Sequence, residues 1–129
     1  MIIKVRPDTQ KSESLKKMAE ITLDRLNKTN IEEYPTNTLL DYYDIIHKLM
    51  EALTLKKGIK IKGEGSHQEL IEYIAKGNII NEQVRQLLQQ MKEYRNRIFY
   101  EGFMINENYI KLNKEKIQDI IKKLINLLR

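Results

Sequence analysis

The sequence contains no cysteine and no long uninterrupted apolar run. Without cysteine the chain has no disulfide and no thiolate for catalysis, which is typical of a cytoplasmic protein. No apolar run approaches the roughly 20 residues that span a bilayer. The first residues, MIIKVRPDTQ, become charged after two isoleucines and do not resemble a secretory signal. We therefore expect a cytoplasmic protein without a membrane segment.

Histidine is also scarce, with two residues in the whole chain. Asp44, His47 and Glu51 share one helix face, but a di-metal bundle needs two such ligand pairs. We favour a solvated polar face for these three residues, and a packing or capping role for His67 beside Ser66. The sequence lacks a P-loop ending and a nucleophile–base–acid triad. We expect neither a cofactor nor a metal site.

The composition describes a single soluble domain with a mild basic bias. The 129 residues are 41% hydrophobic and 32% charged, with a formal net charge of +5 and a pI near 9.3. Such a charge favours polyanions such as nucleic acid without identifying one. Lys56, Lys57, Lys60 and Lys62 form a basic segment with two interpretations. They either contact phosphates or simply suit a helix end and solvent.

Most of the chain follows the periodicity of amphipathic helices. We expect helices over about 12–28, 38–57, 67–76 and 82–101, and a last helix that Asn113 caps. Ser66 and Glu69 form a predicted capping box, and Asn81 and Asn113 are predicted caps. The segment FMINENYIKLN alternates weakly and is an extended arm or a small hairpin. The sequence predicts an all-α fold: an antiparallel up-and-down four-helix bundle with an additional short helix, in one domain over residues 1–129.

An arginine interrupts the apolar stripe of the fourth helix. Arg95 lies near the middle of the arc formed by Val84, Leu87, Leu88, Met91 and Ile98. Asn96 and Tyr100 stack on a flank, and Tyr100 diverges from Arg95 by roughly 140°. A buried arginine needs a partner. The spacing favours an ion pair with Asp41 or Asp44, and a wet groove between two copies that binds an anion is the alternative.

The segment Arg95-Asn96-Arg97-Ile98-Phe99-Tyr100, at the end of a long helix, resembles the motif of HEPN-domain proteins. These are small all-α proteins of prokaryotic toxin–antitoxin and defence systems. Their motif has an arginine, a polar residue that is often asparagine, three further residues and a histidine; Tyr100 stands where the histidine is expected. The resemblance covers roughly residues 10–129. It includes the loop LKKGIKIKGEG, the segment SHQELIEYI and the apolar final helix.

The resemblance implies a homodimer whose motif helices face each other across a cleft, and in active members a metal-independent ribonuclease. It makes Arg95, Asn96 and Tyr100 the candidate catalytic residues. Arg95 would hold the scissile phosphate, Asn96 would orient the site, and position 100 would supply the acid or base. A phenol with a reference pKa of about 10 is a poor general base at neutral pH.

Two functions follow as expectations. The first is a dimeric toxin–antitoxin or defence protein that binds RNA and cleaves it without metal. The alternative is a catalytically inactive HEPN module, either a partner of a minimal nucleotidyltransferase antitoxin or a nucleotide-binding or scaffold protein.

Overall fold

The computed structural model describes all 129 residues as five helices and two three-residue strands, which confirms the all-α prediction. In chain order the elements are β1 (Ile2–Lys4), α1 (Thr9–Asn27), α2 (Pro35–Lys56), β2 (Ile59–Ile61), α3 (Ser66–Lys76), α4 (Glu82–Glu101) and α5 (Glu107–Leu127).

Helix α2 is the centre of the bundle and packs against all four other helices. The spacing of three and four residues predicts an apolar stripe for α2, and every residue of it is buried: Leu39, Tyr42, Tyr43, Ile46, Leu49, Met50 and Leu53. Ile45, Ala52 and Leu55 are buried as well, so the apolar surface extends beyond a single stripe. A helix that is apolar on several faces is expected in the interior of a bundle.

The two bundle helices α4 and α5 contribute to the same core. The predicted arc of α4 buries Leu88 and Met91 fully and Ile98 partly. For the last helix the sequence pattern predicts a stripe of Ile117, Ile120, Ile121, Leu124, Leu127 and Leu128. All are buried except Leu127, which is 46% exposed, so its assignment to the core was wrong. No helix combines the length and the apolar character needed to cross a membrane.

Several helix starts differ from the predictions. Helix α2 begins at Pro35, because proline fits the first turn of a helix, where no N–H donor is needed. The predicted capping box at Ser66 is wrong. Gly65 is the N-cap residue of α3, with a φ of +76° and no side-chain cap, and Ser66 is already helical. The predicted cap at Asn81 is confirmed, since its side chain accepts a hydrogen bond from the Val84 amide at 2.9 Å.

The predicted start of the last helix at Asn113 is also wrong. Asn106 caps α5 by accepting from the Tyr109 amide at 3.2 Å, and Asn113 lies inside the helix. The segment that we expected to be an arm or a hairpin is a short connection followed by the first turns of α5. Ile105 in the connection and Ile110 in α5 pack with Leu39 in a small cluster of their own.

The short strands close the bundle beside the basic segment. Strand β1 pairs antiparallel with β2, and Ile3 lies opposite Lys60. Neither strand was predicted, because three residues are too few for alternation to be recognised. This pairing fixes the chain immediately before α3.

Gly58, which follows α2, has a matched control in Gly63. Both have positive φ values, of +78° and +93°. A Cβ at Gly58 would lie 2.7 Å from the Val5 carbonyl oxygen, whereas one at Gly63 would meet nothing within 4 Å. We expect Gly63→Ala to lower the free energy of unfolding by about 1 kcal/mol, and Gly58→Ala by about 3 kcal/mol because it adds a backbone clash. Urea unfolding measures both losses, and equal losses would contradict this role of Gly58.

Candidate functional site: an arginine–histidine cleft

An open cleft of about 270 Å³ lies where α2, α3 and the second half of α4 meet. Its lining residues are Leu40, Asp41, Tyr43, Asp44, His47, His67, Arg95 and Phe99. The five residues from α2 share a face because they are three or four positions apart. His67 comes from the first turn of α3, and Arg95 and Phe99 are one helical turn apart on α4. We call this cavity the Arg95 cleft.

Arg95 is half-buried in this cleft and has no carboxylate within ion-pair distance. Its Nη1 donates to the Asn96 side-chain oxygen at 3.2 Å, and its guanidinium lies 4.8 Å from the centre of the Phe99 ring. Both contacts are with neutral groups on its own helix. The positive charge of Arg95 therefore remains uncompensated at the cleft.

The predicted ion pair between Arg95 and Asp41 or Asp44 is wrong. Asp41 accepts a hydrogen bond from Arg25 of α1 at 3.0 Å, and Asp44 accepts from Lys48 at 2.6 Å. Each carboxylate thus already has a cation of its own. This geometry is compatible with the alternative interpretation, a groove in which Arg95 binds an external anion.

Both histidines of the chain meet in the Arg95 cleft. The rings of His47 and His67 stack with their centres 4.1 Å apart and their planes 25° apart. The Tyr43 hydroxyl lies 2.9 Å from Nδ1 of His67. The expected solvated face is wrong for His47, which is largely buried, while Asp44 on the same helix is exposed. The packing role expected for His67 is confirmed.

The Tyr43 contact selects one tautomer of His67. This nitrogen is the only hydrogen-bond partner of the buried phenol. If the phenol accepted the bond, its own proton would lack an acceptor, which is costly for a buried group. The phenol therefore donates to Nδ1, and the ring proton of neutral His67 is on Nε2.

Both histidines are neutral at physiological pH. Burial lowers the pKa of His47 to about 4; Asp44 opposes this shift, and Lys48 and Arg95 add to it. Burial also lowers the pKa of His67 to about 4, with His47, Arg95 and Lys92 adding to the shift. Burial raises the pKa of the Tyr43 phenol, which keeps its proton in place. Arg95 is thus the one cationic side chain that lines the cleft, beside three neutral polar groups and two carboxylates, Asp41 and Asp44, that are paired with Arg25 and Lys48.

The three candidate residues from the motif lie in different surroundings. Arg95 lines the cleft, and Asn96 contacts it through the Arg95 guanidinium. Tyr100 is 84% exposed and is not among the lining residues. Arg97 is turned elsewhere, with Nε donating to Glu101 at 3.2 Å. Within one chain, the structure brings Arg95 and Asn96 together and leaves Tyr100 outside.

A second cleft, of about 280 Å³, adjoins the first at His47. Lys60, Lys62 and Ser66 are among its lining residues, so part of the basic segment faces this side of the molecule. A larger cavity of about 500 Å³ lies between α5 and the start of α4, but neither an arginine nor a histidine lines it. No group of three or more histidine, aspartate or glutamate side chains is arranged to hold a metal ion. Size alone therefore does not identify the reactive site.

Residues 12–129 match the family model of the HEPN domain. The chain belongs to the HEPN-domain family. The match spans nearly the whole range in which the sequence resembles this family, so the resemblance is confirmed. No curated protein and no solved structure gave a significant match to the chain.

The sequence analysis missed Tyr43, His47 and His67 as a group. His47 and His67 are 20 positions apart and belong to different helices, so helical spacing does not connect them. The one signal in the sequence was the rarity of histidine: the chain has two, one in α2 and one at the start of α3. Both line the Arg95 cleft.

The neutral state of His47 predicts an acid-sensitive fold. A histidine with a pKa of about 4 when folded and 6.5 when unfolded binds more protons in the unfolded chain between these values. Stability is therefore lost as the pH falls from 6.5 towards 4. His47→Gln should reduce this acid-induced loss in the free energy of unfolding by about 2–3 kcal/mol. Urea unfolding of parent and variant at pH 7.5 and pH 4.5 isolates the difference, and parallel pH profiles would contradict it.

Proposed function

We propose that this HEPN-domain protein is a homodimeric RNA-binding protein of a toxin–antitoxin or defence system. It holds an RNA phosphate against Arg95 in a cleft at the dimer interface and cleaves the RNA without a metal ion. The observation that carries the proposal is the uncompensated charge of Arg95 at an open cleft. A guanidinium presents a planar fork of donors that matches a phosphate group.

The surroundings of Arg95 support a phosphate more than a carboxylate-bearing protein segment. The neighbouring cleft contains Lys60 and Lys62, and the chain carries a net charge of +5. Basic side chains near a phosphate subsite raise both the association rate and the affinity for a polyanionic strand. The neutral histidines add hydrogen-bonding groups, and the two carboxylates of the lining, Asp41 and Asp44, are each paired with a cation, which weakens their repulsion of the strand.

Exposed apolar side chains beside the cleft support the dimer. Phe99 is 62% exposed, Tyr100 84% and Met104 77%, and all three lie at the end of α4 or just after it. Exposed apolar surface of this kind marks interaction sites. A second copy seated on this surface would cover Phe99, which also lines the Arg95 cleft. It would also bring its own Tyr100 close to the site.

The alternative is a catalytically inactive module that binds RNA, a nucleotide or a partner nucleotidyltransferase through the same surfaces. The exposure of Tyr100 favours it, because the motif position that would transfer protons does not reach the cleft of its own chain. Incubation of the dimer with labelled RNA in EDTA separates the two functions. Cleavage supports the ribonuclease, and intact RNA bound through Arg95 supports the inactive module.

Arg95→Ala should weaken RNA binding at least roughly tenfold, since a hydrogen bond to a charged group contributes about 1.5–3 kcal/mol. The slope of log affinity against log salt should fall by about one. Arg97→Ala removes the same charge from an exposed side chain that is paired with Glu101, and is the matched control. Fluorescence anisotropy at several salt concentrations measures both variants. Equal affinities for the two variants would contradict a phosphate site at Arg95.

Phe99→Glu should dissociate the homodimer, because it places a charge in the apolar surface that the second copy covers. Ile21→Glu is the control, since Ile21 is 58% exposed on α1, a helix that packs mainly on α2. Light scattering at micromolar concentration measures the mass of each variant. A parent protein of 15.4 kDa would contradict the dimer.

A further inference from the structure

We propose that His47 and His67 are the catalytic residues of the Arg95 cleft: His47 accepts the proton of the attacking RNA hydroxyl, and His67, oriented by Tyr43, donates a hydrogen bond to the phosphate. This inference rests on the proposed function and deepens it. Neither histidine belongs to the motif segment, and the tyrosine of that segment lies outside the cleft.

The available ring nitrogens assign the two roles. Nδ1 of His67 is occupied by the Tyr43 hydroxyl, so only its Nε2–H is available, and this group is a donor. Neither ring nitrogen of His47 has a hydrogen-bond partner in the chain, and Gln68 Oε1 is the only fully enclosed side-chain polar atom without one. The His47 nitrogens therefore reach the space of the clefts, and the one that lacks a proton can accept one.

Proximity to Arg95 puts both rings where a phosphate would bind. His47, His67 and Arg95 line the same cleft, and the two rings are stacked at 4.1 Å. The stacking keeps both imidazoles within one cleft volume of about 270 Å³ that Arg95 also lines. A phosphate held by the guanidinium in this volume is therefore close to both rings.

The step that fits these groups is internal transesterification of RNA. The 2′-oxygen forms a bond to phosphorus, and its proton passes to His47. The bond between phosphorus and the 5′-oxygen breaks, and that oxygen takes a proton from solvent water. The proton on His47 then returns to the solvent. The products are a 2′,3′-cyclic phosphate end and a 5′-hydroxyl end, and a strand with a 2′-deoxy sugar at this position cannot react.

The pH dependence follows from the charges that face the pair. Asp44, Lys48 and Glu51 come from α2, and Lys92 and Arg95 come from α4. The bound phosphate adds a negative charge, which raises the pKa of both rings above their value of about 4 in the free protein. His47 must be neutral to accept a proton. Cleavage should therefore be level above neutral pH and fall as the medium is acidified.

The experiment compares cleavage of a labelled RNA, RNA affinity and pH–rate profiles for the parent protein and six variants. His47→Gln should lower the cleavage rate by about 10²- to 10⁴-fold while RNA affinity stays within about threefold. His67→Gln should lower both rate and affinity. Tyr43 is a positioning residue, so Tyr43→Phe should lower the rate and move the His67 ring proton from Nε2 in ¹⁵N NMR spectra. Tyr34→Phe, an exposed tyrosine at the start of α2, is the matched control and should keep the parental rate.

Thermal unfolding verifies that the substituted proteins are folded, and the acid limb of the parent's pH–rate profile tests the base without any substitution. Three results would each overturn the inference. The first is cleavage by His47→Gln at the parental rate, and the second is loss of cleavage in Tyr100→Phe while the histidine variants still cleave. The third is a parent protein that leaves the RNA intact. A parent that leaves RNA intact would also contradict the cleavage in the proposed function, whereas the phosphate site of that function is tested separately by Arg95→Ala. It is contradicted if Arg95→Ala binds RNA as the parent does, and it survives if Arg95→Ala loses affinity while the histidine variants cleave normally.

Discussion

Burial of α2 on several faces is the constraint on which the rest of the structure depends. Four helices and β2 pack around it, so its orientation is fixed over its whole length. One remaining face points into the Arg95 cleft and carries Tyr43 and His47. Because the side chains between them are locked in the core, these two polar groups have little freedom. The site is thus built on rigid elements, as groups that must meet a ligand in a fixed geometry require.

The charge balance of the cleft depends on the ion pairs that its carboxylates form. Asp41 and Asp44 pair with cations on other parts of the surface, and no acid is left for Arg95. Burial is the main cause that lowers the pKa of His47 and His67 and keeps both rings neutral, and the positive charge of Arg95 adds to it. An anion entering the cleft would relieve the uncompensated charge of Arg95. It would also favour protonation of the neighbouring rings, so binding and proton uptake are coupled at one place.

The sequence predicted the parts of the fold that have long periodic patterns. The stripes of α2 and α5 contain enough apolar residues to define a buried face, and the motif on α4 pointed to Arg95. The strands were not predicted because three residues are too few to show alternation. Asn113 was predicted as the cap of the last helix, but Asn106, which has the same side chain seven residues earlier, is the cap. The pairing of His47 with His67 depends on how α2 and α3 pack, and spacing within either helix does not encode it.

The central claim is that an RNA phosphate binds between Arg95 and the two histidines. The most direct measurement is an NMR titration of the histidine rings in ¹⁵N-labelled protein, with and without a short RNA that a 2′-deoxy sugar protects from cleavage. The account predicts that both rings titrate near pH 4 in the free protein and at clearly higher pH in the complex. If the RNA binds and both ring titrations stay unchanged, the phosphate lies elsewhere and the account is wrong.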